Sequence, residues 1–121
     1  VEADRDGYLD LLSRRVGIAR AWSRFLDRHD VLLMPVSWRV PFPIDEDTVS
    51  VERMRSVLDA QSPLHATAML GLPGMSVPTG LREGLPTGVQ IVAARYREDR
   101  CLAAGEIVER AAGFSAIARL A

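Results

Sequence analysis

The sequence predicts an α/β fold, a partial mixed β-sheet of about three strands flanked by helices. Apolar residues recur every three or four positions over residues 5–28, and again over residues 97–113, which predicts two long amphipathic helices. Short apolar runs bounded by glycine or proline at residues 30–36, 74–81 and 86–94 predict the strands. Helices and strands interleaved along one chain are typical of the α/β class.

The first helix is predicted to bury one face, and the strand after it is predicted to be buried on both. Residues 30–36, DVLLMPV, are apolar at almost every position, which is typical of a strand in the middle of a layered sheet. The predicted core face of the helix consists of apolar side chains at helical spacing: Tyr8, Leu12, Val16, Ala19, Trp22 and Leu26.

The middle of the chain is predicted to be a loop followed by two short helices. Residues 37–48 form the loop, because its prolines remove backbone donors and hold the chain extended. Residues 48–60 form a helix with Thr48 or Ser50 as its N-cap. A second helix opens at Pro63 and ends at a glycine eight residues later.

The glycine-rich stretch from residue 71 to residue 93 predicts a strand pair and not a phosphate-binding loop. It has neither the GxxxxGK[ST] nor the GxGxxG pattern, and its glycines surround strands instead of opening a helix. The two strands are joined by a tight polar link, Arg-Glu-Gly. Pro78 cannot donate to a strand ladder, so it is expected at an edge or a bulge. The last helix begins with acids and ends before Gly113.

The composition excludes several function classes. The 15 basic residues, all arginine, balance 16 acidic residues to a net charge of −1, and they form no basic stripe that would bind nucleic acid. No apolar run approaches the ~20 residues of a membrane span. Cys101, His29 and His65 do not lie at metal-ligand spacing, so neither a metal nor another cofactor is expected. A single cysteine fits a reducing cytoplasm.

One serine stands in a pattern close to that of a hydrolase nucleophile. Residues 74–78, GMSVP, lack the last glycine of the nucleophile elbow GxSxG, and a strand runs on where an elbow would turn into a helix. His65 or His29 could in principle serve as the base. We favour the interpretation in which Ser76 is not a nucleophile and each histidine is an ordinary surface or partly buried residue.

Two further features are candidates for a binding site. Trp38 and Phe42 lie just after the carboxyl end of a predicted strand, where α/β proteins tend to bind ligands, so they either line a pocket or pack within their loop. Gln90 lies among apolar strand residues, where a buried amide needs hydrogen-bond partners. It is therefore either a structural hydrogen-bond hub, which we favour, or a pocket group.

Four stretches resemble, in order and spacing, the C-terminal part of the amidase signature family. They are DVLLMP at residues 30–35, GLPGMSVPTG at 71–80, GLPTGVQIV at 84–92 and the helix at 97–109. The resemblance covers nearly all of the chain. One departure is Ala68, which stands where many members of the family have asparagine.

The resemblance implies the amidase signature fold and the hydrolysis or transfer of the amide groups of small molecules by a Ser-Ser-Lys triad. No stretch of this chain matches the signature that carries the triad, and a chain without lysine cannot supply the base that activates the serine. We therefore expect residues 1–121 to be a single C-terminal piece of an amidase domain, inactive alone. Ser37, Trp38 and Phe42 are predicted to line part of the acyl pocket.

Two other interpretations of the resemblance remain open. The chain could belong to an amidotransferase A-type subunit, which passes ammonia onto an acyl group, or to an interaction module derived from the amidase tail. A tail that evolved against a larger core is expected to expose apolar surface when alone, and such surface favours self-association.

Overall fold

The computed structural model describes residues 4–113. The α/β class is confirmed, with three strands and helices on both sides of them, and both long helices lie where the sequence predicts them. In chain order the elements are α1 (Arg5–Leu26), β1 (Leu32–Pro35), α2 (Glu46–Val49), α3 (Val51–Ala60), α4 (Ser62–Leu70), β2 (Gly74–Arg82), β3 (Leu85–Val92) and α5 (Glu98–Ala112).

The three strands form one sheet in the order β1-β3-β2, and both pairings are antiparallel. The parallel pairings that would make the sheet mixed do not occur among these strands. β2 and β3 must run antiparallel because only Glu83 and Gly84 connect them. Both residues have positive φ, 54° and 78°, as a type I′ hairpin turn requires.

The position of β1 corrects one expectation. The apolar run predicted a strand in the middle of the sheet, but β1 lies at an edge of the three described strands and β3 lies in the middle. Leu33 is consequently 52% exposed, since none of the described elements covers that side chain. An apolar sequence shows that a strand can be covered on both faces, and it does not show which neighbours do so.

Pro78 lies at a bulge on an edge strand, as predicted. The register of β2 against β3 shifts between Pro78 and Gly80, so one residue is left over on β2. Thr87 Oγ1 donates a hydrogen bond to the Gly80 carbonyl over 3.1 Å. This hydrogen bond therefore joins the two strands beyond the proline.

The tightest core lies between α5 and one face of the sheet. Val77, Ile91, Ala93 and Cys101 are each 3% exposed or less. Gly105 lets the helix approach β2 closely, because a Cβ there would lie 2.7 Å from the Met75 thioether. α5 thus holds the hairpin from the face opposite to α4.

The opposite face of the sheet is covered less completely by α4 and the end of α1. Leu26 and Leu70 are buried there, and Arg15 Nε donates to the Met69 carbonyl over 2.7 Å. The first half of α1 corrects a second expectation, since Tyr8 and Leu12 of the predicted core face are 58% and 39% exposed. A 22-residue helix is ~33 Å long, which exceeds the width of three strands ~4.8 Å apart.

No helix of the described range is both long and apolar enough to cross a bilayer.

Candidate functional site

A cleft of about 590 Å³ opens between the loop after β1 and the β2–β3 hairpin. One wall comes from the loop and the other from the hairpin, beside the bulge at Pro78. The lining residues are Val36, Ser37, Arg39, Val40, Pro41, Phe42, Gln61, Ser76, Pro78, Pro86, Thr87 and Gly88. Six of these twelve residues have apolar side chains, and the polar groups are the hydroxyls of Ser37, Ser76 and Thr87, the Gln61 amide and the Arg39 guanidinium.

The loop wall is held in place by hydrogen bonds to the helices behind it. The backbone N–H of Trp38 donates to the Ala60 carbonyl over 2.9 Å, which ties the loop to the end of α3. The Trp38 indole Nε1 donates to Ser62 Oγ over 2.9 Å, at the start of α4. Ser37 Oγ accepts a hydrogen bond from the Arg39 backbone N–H over 3.1 Å. The loop is therefore fixed in shape although it has no regular structure.

The structure places two of the three predicted pocket residues at the cleft and the third behind it. Ser37 and Phe42 are among the lining residues. Trp38 is not, and its side chain is 66% exposed while its indole is bonded to Ser62. Trp38 therefore anchors the loop. Arg39 and Val40 of the same loop also line the cleft, where the sequence had not predicted them.

A buried carboxylate stands behind the loop wall. Glu46 is 7% exposed, and its two oxygens accept hydrogen bonds from Arg39 Nη2 over 3.1 and 3.3 Å. Arg53 Nη1 reaches the same carboxylate over 3.3 Å. Glu46 opens α2, a short helix within the stretch predicted as loop. A buried carboxylate is tolerated when it is paired in this way.

Gln90 takes the structural role that the sequence analysis favours. Its side chain is 6% exposed, and its Nε2 donates to Thr67 Oγ1 over 3.2 Å, while Thr67 donates to the Leu64 carbonyl over 2.9 Å. Gly74 leaves room for the amide, since a Cβ there would lie 3.1 Å from Nε2. Gln90 thus joins β3 to α4 and does not line the cleft. Its Oε1 has no partner among the described residues.

Ser76 does not form a nucleophile elbow. It lies within β2, paired with Gln90 on β3, and not at a turn from strand into helix. No hydrogen bond joins it to His29 or His65 within residues 4–113, and the ring of His29 instead packs 4.4 Å from that of Phe25. Ser76 is therefore a lining hydroxyl of the cleft without a base beside it.

Metal-ligating side chains are not clustered. Within the described range no three His, Cys, Asp or Glu side chains lie close enough together to hold a metal ion. The cleft itself is lined by hydroxyls, apolar groups, one amide and one guanidinium.

Cys101 is buried beneath β3 and is expected to be unreactive in the folded chain. Burial raises the pKa of its thiol above the ordinary value of 9.0, and the charge of Glu98 acts in the same direction. Since the thiolate is the reactive form, we expect labelling by a thiol reagent at pH 8 to be roughly tenfold or more slower than in urea. Equal rates in the two conditions would contradict the buried position.

The same shift has a defined effect on stability. Because the pKa of the Cys101 thiol is higher in the folded chain than in the unfolded chain, the protonated thiol contributes to the free energy of unfolding. This contribution is fully present below the unfolded pKa and is lost as the pH rises through the folded pKa.

The comparison with known families agrees with the fold. Helices on both faces of a three-stranded antiparallel sheet define an α/β chain. The Amidase family model matches residues 2–102. The chain therefore belongs to the amidase signature family.

Individual relatives give the same result. An indoleacetamide hydrolase of Bradyrhizobium japonicum is 38% identical over 115 residues, which cover 93% of this chain and 24% of the relative. The A-type subunit of a glutamyl-tRNA(Gln) amidotransferase from Rhodospirillum rubrum is 34% identical over 111 residues, which cover 89% of this chain and 21% of that subunit. A crystal structure of an amidase superposes with a TM-score of 0.75 at 25% identity, covering 90% of this chain and 26% of that chain. The chain thus spans about a quarter or less of its relatives' length.

Proposed function

We propose that this chain is the C-terminal piece of an amide hydrolase, and that its cleft binds the acyl side of an aryl-acetamide-like substrate. The cleft carries this proposal. Its volume of about 590 Å³ lies within the ~300–1,000 Å³ common for small-molecule sites. Its loop wall offers apolar surface from Val36, Val40 and Phe42. The 38% identity to an indoleacetamide hydrolase supports an aromatic acyl group.

The chemistry would be divided between this chain and the rest of the enzyme. The family resemblance implies a serine nucleophile, a second serine and a lysine base, which this chain does not supply. Its own residues would hold the acyl group against the loop wall and exclude water from it. The hydroxyls of Ser37, Ser76 and Thr87 would orient polar atoms of the substrate. Such positioning lowers the entropic part of the barrier to acyl transfer.

A turnover assay tests this proposal. We expect a polypeptide that contains these 121 residues together with the Ser-Ser-Lys region to release ammonia from phenylacetamide and indole-3-acetamide. The 121-residue chain alone is expected to release none, because the base that activates serine is missing. Ammonia can be measured by a coupled dehydrogenase assay. Release by the chain alone, or none by the longer polypeptide, would contradict the proposal.

An amidotransferase A-type subunit is the second candidate, favoured by the 34% identity to the Rhodospirillum rubrum protein. The same assay separates the two functions. A hydrolase acts on arylacetamides without partner proteins, whereas an amidotransferase subunit would require glutamine as the amide and further subunits to pass the ammonia on. The third interpretation, an interaction module, predicts no ammonia from any amide.

Two further properties follow from the same proposal. The exposed apolar side chains along the first half of α1, including Tyr8 and Leu12, support self-association of the isolated chain. The single cysteine, buried and unpaired, supports a cytoplasmic location.

A further inference from the structure

The cleft contains one charged side chain among its lining residues, that of Arg39. An unpaired guanidinium in an apolar cleft would attract a carboxylate, because arginine binds carboxylates through two parallel hydrogen bonds. The pairing state of Arg39 therefore decides whether the cleft attracts or is indifferent to a negatively charged acyl group.

Arg39 is already paired with two residues that are not among the lining residues of the cleft, Glu46 and Ser56. Its Nη2 lies 3.1 and 3.3 Å from the two oxygens of Glu46, and its Nη1 donates to Ser56 Oγ over 3.2 Å. The carboxylate is 7% exposed, so water screens this pair less than it would a surface pair. Both terminal nitrogens of the guanidinium are thus occupied by groups of this chain.

The ion pair between Arg39 and Glu46 also affects the loop wall of the cleft. The guanidinium carbon of Arg39 lies 5.1 Å from the centre of the Phe42 ring, within the range of a cation–π contact. Phe42 lines the cleft, so the position of its ring depends on where Glu46 holds Arg39. Arg53 also contacts Glu46, but its side chain is 61% exposed and it does not line the cleft.

We propose that Glu46 is a specificity-determining residue, which compensates the charge of Arg39 and so directs the cleft towards uncharged acyl groups. This inference rests on the proposed amide hydrolase, and it names the substrate class of the same cleft. Glu46 acts through Arg39 and does not touch the substrate, so it is a positioning residue. Its carboxylate sets both the charge that the substrate meets and the place of the Phe42 ring.

The test uses the longer enzyme and two substrates that differ in one charge, phenylacetamide and 4-carboxyphenylacetamide. The variant Glu46→Gln keeps the size and a hydrogen-bond acceptor but removes the compensating charge. We expect it to raise the ratio of kcat/KM for the carboxylated amide over the neutral amide about tenfold or more. The change should lie mainly in KM, because the amide bond and the catalytic groups are the same for both substrates.

Matched variants separate charge compensation from a general structural effect. Arg53→Gln removes the other cation that contacts Glu46 and should leave the ratio within twofold of that of the unaltered enzyme. Arg39→Gln should also change the ratio less than twofold, because Arg53 still contacts Glu46 and compensates the carboxylate that has lost Arg39. The double variant Arg39→Gln with Glu46→Gln should not show the tenfold rise in the ratio of kcat/KM.

Each outcome decides the inference. An equal fall of kcat/KM for both substrates in Glu46→Gln would show a purely structural role of Glu46 and overturn the inference. If Glu46→Gln does not fold, a tenfold loss of preference for the carboxylated amide in Arg39→Gln would show a free cation and overturn it, and a change below twofold would support it. If the enzyme hydrolyses neither amide, the proposed function fails. In that case the dissociation constants of the two amides, measured by calorimetry, decide the inference. The same ratios between the carboxylated and the neutral amide are expected.

Discussion

Replacing Gly88 with alanine is expected to destabilise the chain by roughly 1–3 kcal/mol, in the range of overpacking substitutions. A Cβ at position 88 would lie 2.8 Å from the Val77 carbonyl oxygen and 3.5 Å from the Pro78 Cα. The distance to the Pro78 Cα is an ordinary contact, but the Val77 oxygen is a backbone atom and can yield only if β2 moves away from β3. Urea denaturation followed by circular dichroism measures the loss.

The same substitution is expected to affect the cleft, because Gly88, Pro78 and Ser76 belong to its hairpin wall. In the longer enzyme we expect KM to rise more than kcat falls, since the wall moves but the catalytic groups lie elsewhere.

The matched control is Gly17→Ala within α1, where nothing lies within 4 Å of an added Cβ. This control should stabilise the chain by roughly 0.4–1 kcal/mol, because alanine restricts the unfolded chain and suits a helix. A stability of Gly88→Ala equal to that of the unaltered chain would contradict the close approach of the two strands.

Local signals in the sequence were sufficient to predict the hairpin and the last helix. The hairpin is specified by its own residues, because Gly84 suits the left-handed turn and Pro78 can lie only where a ladder bond is not required. The last helix ends at Gly113, whose φ of 60° gives the left-handed C-cap that glycine adopts readily. These predictions succeeded because each depends on conformations that few residue types can take.

The features that the sequence could not predict depend on contacts between distant residues. The apolar pattern of α1 is real, but which part of it is buried depends on how far the sheet extends beneath it. Glu46 lies in the polar run Asp45-Glu46-Asp47, which is typical of an exposed loop. It is buried because Arg39 and Arg53, each seven residues away, converge on it. Arg39 was not predicted to line the cleft, because its position likewise depends on its contact with Glu46.

Replacing Ile91 with alanine is expected to cost about 2–5 kcal/mol, the range measured for isoleucine truncations in cores. Ile91 is 0% exposed and lies in the central strand, between Leu33 of β1 and Met75 of β2. Its core neighbours include Val77 and Cys101, and both come from elements that cannot close the space without moving the sheet against α5.

The chain offers a control with the same chemical change, Ile107→Ala on α5, where the side chain is 62% exposed. We expect that change to alter the free energy of unfolding by less than about 0.5 kcal/mol, because a surface substitution leaves no cavity and alanine favours a helix. Thermal or urea unfolding of the two variants side by side measures the difference. Equal losses of stability at positions 91 and 107 would show that β3 is not the centre of the core. The position of the cleft wall that β3 supports would then also be wrong.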